Sequence, residues 1–523
     1  MISDRRKWVV LSVLITSLFS VVLDNTVLNV ALKTIAEPTI GLGATQSQLE
    51  WAINSYTLVF AGLLFTFGVI GDRVGRKRML IIGMVMFGLA SLISSSAQTP
   101  AELIWARAAM GLGGAAVMPQ TLSIITNVFD PKERPKAIGV WASAVGVAIA
   151  VGPATGGLLL DHFWWGSVFL INVPLTAIGV VAIALLVPES KSPAPGRIDY
   201  LGVLLSIAGL VLLVYGIIKG GDAVSWLEPG VIAPIAAGIA VLTVFAVHES
   251  RTEHPSLDVR LFRDPRLSSA AAAIGLNFFA MSGVYFFMSF YLQNVRGYSP
   301  MHAGLLTTPV AIGQLIASNR SSRLVRRFGA KAVAAGGLTV VTGAVLGYHT
   351  LSMTTPIAAL ELTYFLQGAG MGIVMPTATE LVMSVVPRER SGAGSAITNT
   401  SRQVAVALGV AVLGSILARI YRSGVGPGLR MLPASSRAAA GQSVAATDAA
   451  AAHLIRGGAD LTGLAGRSFI HAMHVTTVVS AVIAASGAVL IAIWMPGLRA
   501  AARRARVGDV AAGHRPVAVM VED

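Results

Sequence analysis

Two ionisable side chains stand inside stretches that are otherwise apolar. Asp24 lies in the run 8–31, within LDNTVLNVAL (23–32), and Arg107 lies in the run 101–123, within LIWARAAMGLGGA (103–115). A carboxyl held away from water binds and releases a proton as its surroundings change, which is the chemistry that proton coupling requires. A guanidinium stays charged and must find a partner. The simplest arrangement pairs the two, with Arg107 tuning the proton affinity of Asp24. Asn25, Thr26 and Asn29 are local candidates for hydrogen bonding to Asp24. In the C-terminal part, Glu380 is a candidate second protonation or cation site, and Arg402 stands about two turns into the run 393–417. Glu50 and Glu361 fall near run ends and are expected to be solvated. His471 and His474 lie one turn apart, and two histidines do not make a metal site.

The elements that must position these groups follow from composition. The chain has 523 residues, of which 54% are hydrophobic and 12% charged, with no cysteine; mean hydropathy is +0.72. Soluble domains carry about 25% charged residues, so a soluble multi-domain protein is excluded. Intrinsic disorder, a disulfide scaffold and a cysteine-based zinc site are excluded as well. Fourteen runs are long enough to cross a bilayer as helices: 8–31, 48–70, 79–97, 101–123, 137–160, 164–187, 199–218, 229–248, 267–291, 302–318, 331–350, 357–380, 393–417 and 469–495. With the N-terminus taken as cytoplasmic, 28 of the 39 Lys and Arg residues fall in cytoplasmic segments. The net charge of +14 is then a topology signal of the positive-inside kind, and nucleic acid is not an expected partner.

An internal repeat organises the runs. GLGGAAVMP (111–119) returns as GAGMGIVMP (368–376), and PKER (131–134) returns as PRER (387–390). The repeat predicts an all-α membrane protein of two six-helix bundles plus two inserted helices. The expected division is 1–190, inserted helices in 191–265, a second bundle in 266–498, and a basic cytoplasmic tail in 499–523. The Ala/Gly/Ser-rich loop 418–468 is expected either to be partly disordered or to cap the external side. Parallel repeats of this kind characterise transporters with a substrate site between the halves.

Three further motifs carry mechanism. GVIGDRVGRKRML (68–80) sets Gly68, Asp72, Arg73, Gly75, Arg76 and Lys77 in a tight turn where a carboxylate near a helix start meets basic partners. Such a cluster can latch one conformational state. A reduced copy, Arg326, Arg327, Gly329 and Lys331, lacks the acid. GPATGG (152–157) supplies Gly152, Pro153, Gly156 and Gly157 for close helix approach and bending. NFFAMSGVYFFMSFYLQN (277–294), with Phe279, Tyr285 and Tyr291, suits an adaptable apolar pocket to which Asn25, Asn29 and Arg402 are also assigned.

The 68–80 loop resembles the signature between the second and third helices of the major facilitator superfamily. The stretches 23–32, 152–157 and 399–414 resemble the fourteen-helix drug:proton antiporters (EmrB/QacA type) of that superfamily. Lys33 stands where the first-helix signature ends in Pro, Met110 where a Gln often precedes the glycine, and Ala148 where the fifth-helix motif has Gly. The resemblance implies the major facilitator fold and proton-coupled export of lipophilic or cationic compounds by alternating access. It also implies proton-coupling roles for Asp24 and Arg107. The expected energy source is the proton gradient, with no cofactor or metal. The expected partners are a lipophilic small molecule, protons and membrane lipid, the protein acting as a monomer in the inner membrane of a bacterium. No Walker A loop, nucleophile elbow or HExxH is present, which argues against a primary pump or an enzyme. Export of an endogenous lipid or metabolite on the same fold, and a non-transporting receptor or scaffold, remain as alternatives.

Overall fold

A computed structural model describes residues 4–495, except 131–132, 193–197, 224, 254, 256, 387–390 and 455–456. The PRER half of the second repeat motif, part of PKER and the basic tail lie outside the described residues. All regular elements among the described residues are helices, as a chain in lipid requires when each backbone polar group must be satisfied within its own segment. They are α1 (Asp4–Ala36), α2 (Gln46–Val74), α3 (Arg76–Ser95), α4 (Pro100–Val128), α5 (Arg134–His162), α6 (Ser167–Leu170), α7 (Asn172–Leu186), α8 (Tyr200–Asp222), α9 (Pro229–Arg251), α10 (Pro265–Phe290), α11 (Pro300–Leu305), α12 (Thr308–Gly347), α13 (Ile357–Val385), α14 (Ser391–Leu429), α15 (Ala434–Ala440), α16 (Val444–Ala452) and α17 (Gly458–Trp494).

Local signals set the starts. Thr45 and Gln48 form a capping box on α2: Thr45 Oγ1 accepts from the Gln48 N–H at 3.3 Å, and Gln48 Oε1 accepts from the Thr45 N–H at 2.9 Å. Thr99 caps α4, with Pro100 at the first helical position.

The described residues hold 13 candidate spans rather than the 14 expected. The difference lies in 300–350, a 51-residue segment counted once. Inside it α12 breaks at Gly329, where φ is +83° and ψ is +154°. The runs 302–318 and 331–350 are the two limbs of this broken helix. Gly75, at φ +128° between α2 and α3, is its counterpart in the first half. Both positions need a residue without Cβ.

α4 packs along α2 and α3, and α13 packs along both limbs of α12. The repeated glycines explain the match. A Cβ on Gly111 would stand 2.6 Å from the Tyr56 carbonyl oxygen, and one on Gly113 would stand 2.6 Å from the Phe87 nitrogen. Their repeats Gly368 and Gly370 press in the same way on the backbone at Val310 and Val341. Two bundles result, one from α1–α7 and one from α10–α17, with the α8–α9 hairpin packed against α2 and α14.

The Asp72–Lys77 turn marks one end of the assembly, termed here the basic end. The two halves meet at the opposite, far end. There Gln293 donates to the Val30 carbonyl at 2.8 Å. Gly157 of α5 abuts the backbone of Pro300 and Met301, and Gly304 of α11 abuts Pro153.

The segment 418–468 is more ordered than a disordered loop would be. α14 continues to Leu429, α17 begins at Gly458, and α15 and α16 lie between. Leu429, Leu432, Val444, Ala445 and Leu461 are buried in the main core. Alanine-rich segments are strong helix formers, and here they also have an apolar face to bury.

Candidate functional site

Asp24 and Arg107 meet. Arg107 Nη1 donates to Asp24 Oδ2 in an ion pair whose two side chains are each 1% exposed. The other carboxylate oxygen accepts from Asn172 Nδ2 at 3.0 Å. Asn172 also lies 3.1 Å from Ser91 Oγ, whose hydroxyl donates to the Phe169 carbonyl at 2.9 Å. Arg107 Nε donates to the Ala52 carbonyl at 3.2 Å. Its guanidinium lies 4.5 Å from the centroid of the Tyr56 ring and 5.9 Å from that of Phe169, a geometry in which the ring faces add to the cation's stabilisation. One acid on α1 is therefore tied to α4, to α7 and, through Asn172, to α3.

The local partners proposed for Asp24 do not serve it. Asn25 donates to the Val21 carbonyl, Thr26 to the Leu23 carbonyl, and Asn29 to the Asn25 carbonyl. The reason is helix geometry: residues one, two or five apart project from different faces of a helix. Asn172, Ser91, Tyr56 and Phe169 were not singled out in the sequence. Asn172 left a faint signal as a lone amide in the apolar run 164–187. Ser91 and Tyr56 looked like ordinary helix residues.

The helices reach this geometry through α5. A Cβ on Gly156 would stand 2.9 Å from Val27 Cγ1, and Gly152 presses on Thr26. The GPATGG motif thus seats α5 on α1 beside Asp24, while Pro153 and Gly157 face the second half. α1 runs on to Ala36, with Lys33 paired to Glu37 at 3.0 Å.

The network has an uncharged counterpart. Shifting Asp24, Ser91, Arg107 and Met110 by the repeat offset of 257 gives Met281, Tyr348, Tyr364 and Gln367. These four also assemble. Tyr348 donates to Gln367 Oε1, Gln367 Nε2 stands 2.7 Å from Met281 Sδ, and the Tyr348 and Tyr364 ring centroids are 5.7 Å apart. The fold builds the same pocket twice and places charge in the first.

The residues of the 68–77 turn form a cluster at the basic end. Arg76 Nε donates to Asp72 Oδ1 at 2.8 Å, and Arg76 Nη1 donates to the Ser123 carbonyl at 3.3 Å. Lys77 Nζ donates to the Ala184 carbonyl at 2.7 Å. Glu189, absent from the sequence-based set, accepts from the Lys77 N–H at 3.1 Å and faces Arg78 at 3.6 Å. Gly68 is half-buried against Pro119, and Arg73 is exposed at the end of α2. Lys7 pairs with Asp130 and Glu133, each at 2.9 Å. The hydrogen bond from Lys7 and the Lys7 charge hold the Asp130 carboxyl below the usual aspartate range. All these pairs join segments of the first half.

Other sequence-based candidates make no hydrogen bond or ion pair with the Asp24 network among the described residues. Glu380 is exposed. Phe279 is half-buried beside a groove of about 480 Å³ between α10 and α14, lined by Ala271, Gly275, Val404, Ala405 and Leu408. Tyr285 is half-buried. Tyr291 is buried and donates to the Ser352 carbonyl at 2.7 Å, a far-end tie. Arg402 is half-buried, 5.7 Å from the Phe278 ring centroid. The expectation for Glu50 is corrected: it is 1% exposed, because α14 and the inserted α8 cover the start of α2. Glu361 is half-buried. His474 bonds the Leu351 carbonyl at 2.7 Å, and its ring centroid lies 4.7 Å from that of His349 in a tilted contact.

A family model described as Major Facilitator Superfamily matches residues 14–410. The chain is 34% identical over 493 residues to the multidrug efflux pump LfrA of Mycolicibacterium smegmatis, covering 94% of this chain and 97% of that one. It is 33% identical over 403 residues to the multidrug resistance protein Stp of Mycobacterium tuberculosis, covering 77% of this chain and 74% of that one. Among solved structures, a bacterial homolog of the human lysosomal transporter Spinster, in an inward-facing and occupied conformation, superposes with a TM-score of 0.65. That likeness has 19% identity and covers 94% of this chain and 98% of the other; it concerns the fold.

Proposed function

Because the chain belongs to the major facilitator superfamily, we propose that it is a drug efflux transporter, working by proton antiport in the inner membrane of a bacterium. It is a multi-pass membrane transporter and not an enzyme. The observation that carries the reading is the buried Asp24–Arg107 pair in a chain whose relatives are multidrug pumps.

The mechanism follows from the pair. An ionised Asp24 holds α1 to α4 through Arg107 and to α7 through Asn172. A proton on Asp24 removes the attraction between charges, which is strong in a low-dielectric interior. Arg107 then keeps the Ala52 carbonyl and the Tyr56 ring as partners. α1 loses its hold on α4, and the first bundle tilts against the second about their shared seam. Protons enter from outside down their gradient, which is the energy source, and a lipophilic or cationic substrate leaves in exchange. Asp24 and Arg107 carry the coupling, Asp72–Arg76 latches the basic end, and Glu380, exposed near the end of α13, is proposed as a second protonation or cation site. No cofactor takes part. The protein acts as a monomer with both termini cytoplasmic, so that the basic end faces the cytoplasm and the far end the outside.

The test is purified protein in proteoliposomes with an imposed pH gradient and a panel of lipophilic dyes. Dye-dependent loss of the gradient is expected. Dye movement that is indifferent to the gradient would overturn proton coupling, and no dye movement would overturn drug efflux.

A further inference from the structure

Glu50 is a buried acid for which the scheme above has no use. It sits in the first turns of α2 at the far end, where α2, α8 and α14 converge. Among the described residues no Lys, Arg or His nitrogen comes within 4.0 Å of its carboxylate. The charged groups on the neighbouring helices are engaged elsewhere. Arg422 of α14 pairs with Asp222 of α8 at 2.7 Å and donates to the Gly221 carbonyl. Arg419 donates to the Ala223 carbonyl at 3.3 Å. Lys219 lies 5.8 Å from the Tyr215 ring centroid. Close by, an apolar cluster of Leu58, Val214, Ile218, Ala407 and Ala411 is packed from the same three helices.

The polar contact of Glu50 is Ser415 Oγ of α14, 3.5 Å from Glu50 Oε2. The same hydroxyl lies 3.1 Å from the Ile217 carbonyl, which can only accept. A serine hydroxyl has one hydrogen, and the nearer carbonyl takes it. The Glu50–Ser415 contact is then satisfied when Glu50 is the donor, that is, when it carries a proton. Ionising Glu50 here would bury an unpaired charge, which is costly unless the site opens to water. Gly414 is the position that lets the carboxyl fit: a Cβ there would stand 2.5 Å from Glu50 Oε1.

We propose that Glu50 is a proton-binding site of the seam between α2 and α14, loaded from the far side as the seam closes and emptied for it to open. Closure then costs one proton in addition to any that Asp24 carries. The inserted helix α8 has a role in this: its end supplies the Ile217 carbonyl that orients Ser415.

The chain has no cysteine, so a single introduced thiol reports on the seam. Ala411 is buried between α2 and α8, and Ala411→Cys is labelled by a hydrophilic maleimide only when the seam admits water. Labelling is compared in nanodiscs between A411C and A411C/E50Q across pH. The thiol's own ionisation cancels in the ratio of the two rates. The ratio is expected to rise with pH, by up to about tenfold per unit where a single ionisation opens the seam. A ratio that stays flat overturns the proposal. If E50Q accumulates poorly, Ser415→Ala replaces it. Loss of the acceptor moves the rise in labelling to lower pH, and an unmoved rise counts against Glu50. No substrate enters this experiment, so its failure is distinct from failure of the efflux reading.

Discussion

At the scale of single residues, the ion pair makes two separable demands. In the proposed cycle Asp24 exchanges a proton, and neither member of the buried pair can be removed without stranding the other. Asp24→Asn keeps the size of the side chain and removes the titration. It is expected to abolish pH-driven dye efflux in proteoliposomes while leaving expression intact; efflux unchanged in this variant would end the coupling assignment. Arg107→Ala strands a buried acid and is expected to lower stability by about 3–5 kcal/mol. Adding Asp24→Asn to Arg107→Ala should recover a good part of that loss, because no uncompensated charge remains. A double-mutant cycle by thermal unfolding measures the coupling. Both residues of the pair could be read in the sequence, since a charge in a membrane helix is conspicuous. Asn172 and Ser91 could not, because an amide or hydroxyl in a helix has many innocuous uses.

Helices are the scale at which glycine patterns act. Gly75 and Gly329 hold the chain at φ +128° and +83°, in equivalent turns of the two halves. Gly75→Ala and Gly329→Ala are each expected to cost about 1–3 kcal/mol by strain at that position, read as lowered thermal midpoints. The Gly75 variant should suffer more, since Glu189 stands where the new methyl would go, its carboxyl 2.8 Å away, and its ties to Lys77 and Arg78 would be disturbed. Equal losses would mean that the latch cluster adds nothing to the turn. The run pattern located the long helices well. It separated 302–318 from 331–350, and the structure has two helical limbs there, because the backbone at Gly329, φ +83° and ψ +154°, leaves the helical region and turns the chain.

For the whole molecule, the relevant variable is pH on the far side. Asp448, in the cap formed by α15 and α16, is pushed up to about 6 by burial, its largest influence. Its Oδ1 has no hydrogen-bond partner among the described residues. The folded cap therefore holds a proton that the unfolded chain releases near pH 4. Stability from this group is present below that value and falls as pH rises through about 6. Amide exchange in 434–452, corrected for intrinsic rates, is expected to be faster at pH 8 than at pH 5, and Asp448→Asn should remove the difference. Asp130 at the basic end behaves oppositely. Its carboxyl is held down by Lys7, so its contribution is present at neutral pH and lost as pH falls below the aspartate range. Asp130 is exposed, and the effect is small.

The apolar runs, their basic flanks and the repeat at 111–119 and 368–376 were enough for the bundle architecture. In lipid, backbone hydrogen bonding leaves a long apolar run little choice but a helix, and the matching glycines set how paired helices pack. Which polar groups meet was decided only in three dimensions. Asp24 and Asn172 are 148 positions apart and Glu50 and Ser415 are 365 apart, and no local pattern encodes contacts between helices so distant in sequence. The same is true of charge. The repeat offset of 257 points from Asp24 and Arg107 to Met281 and Tyr364, but that these two sit in one cluster with Tyr348 and Gln367 is seen only in the folded bundle.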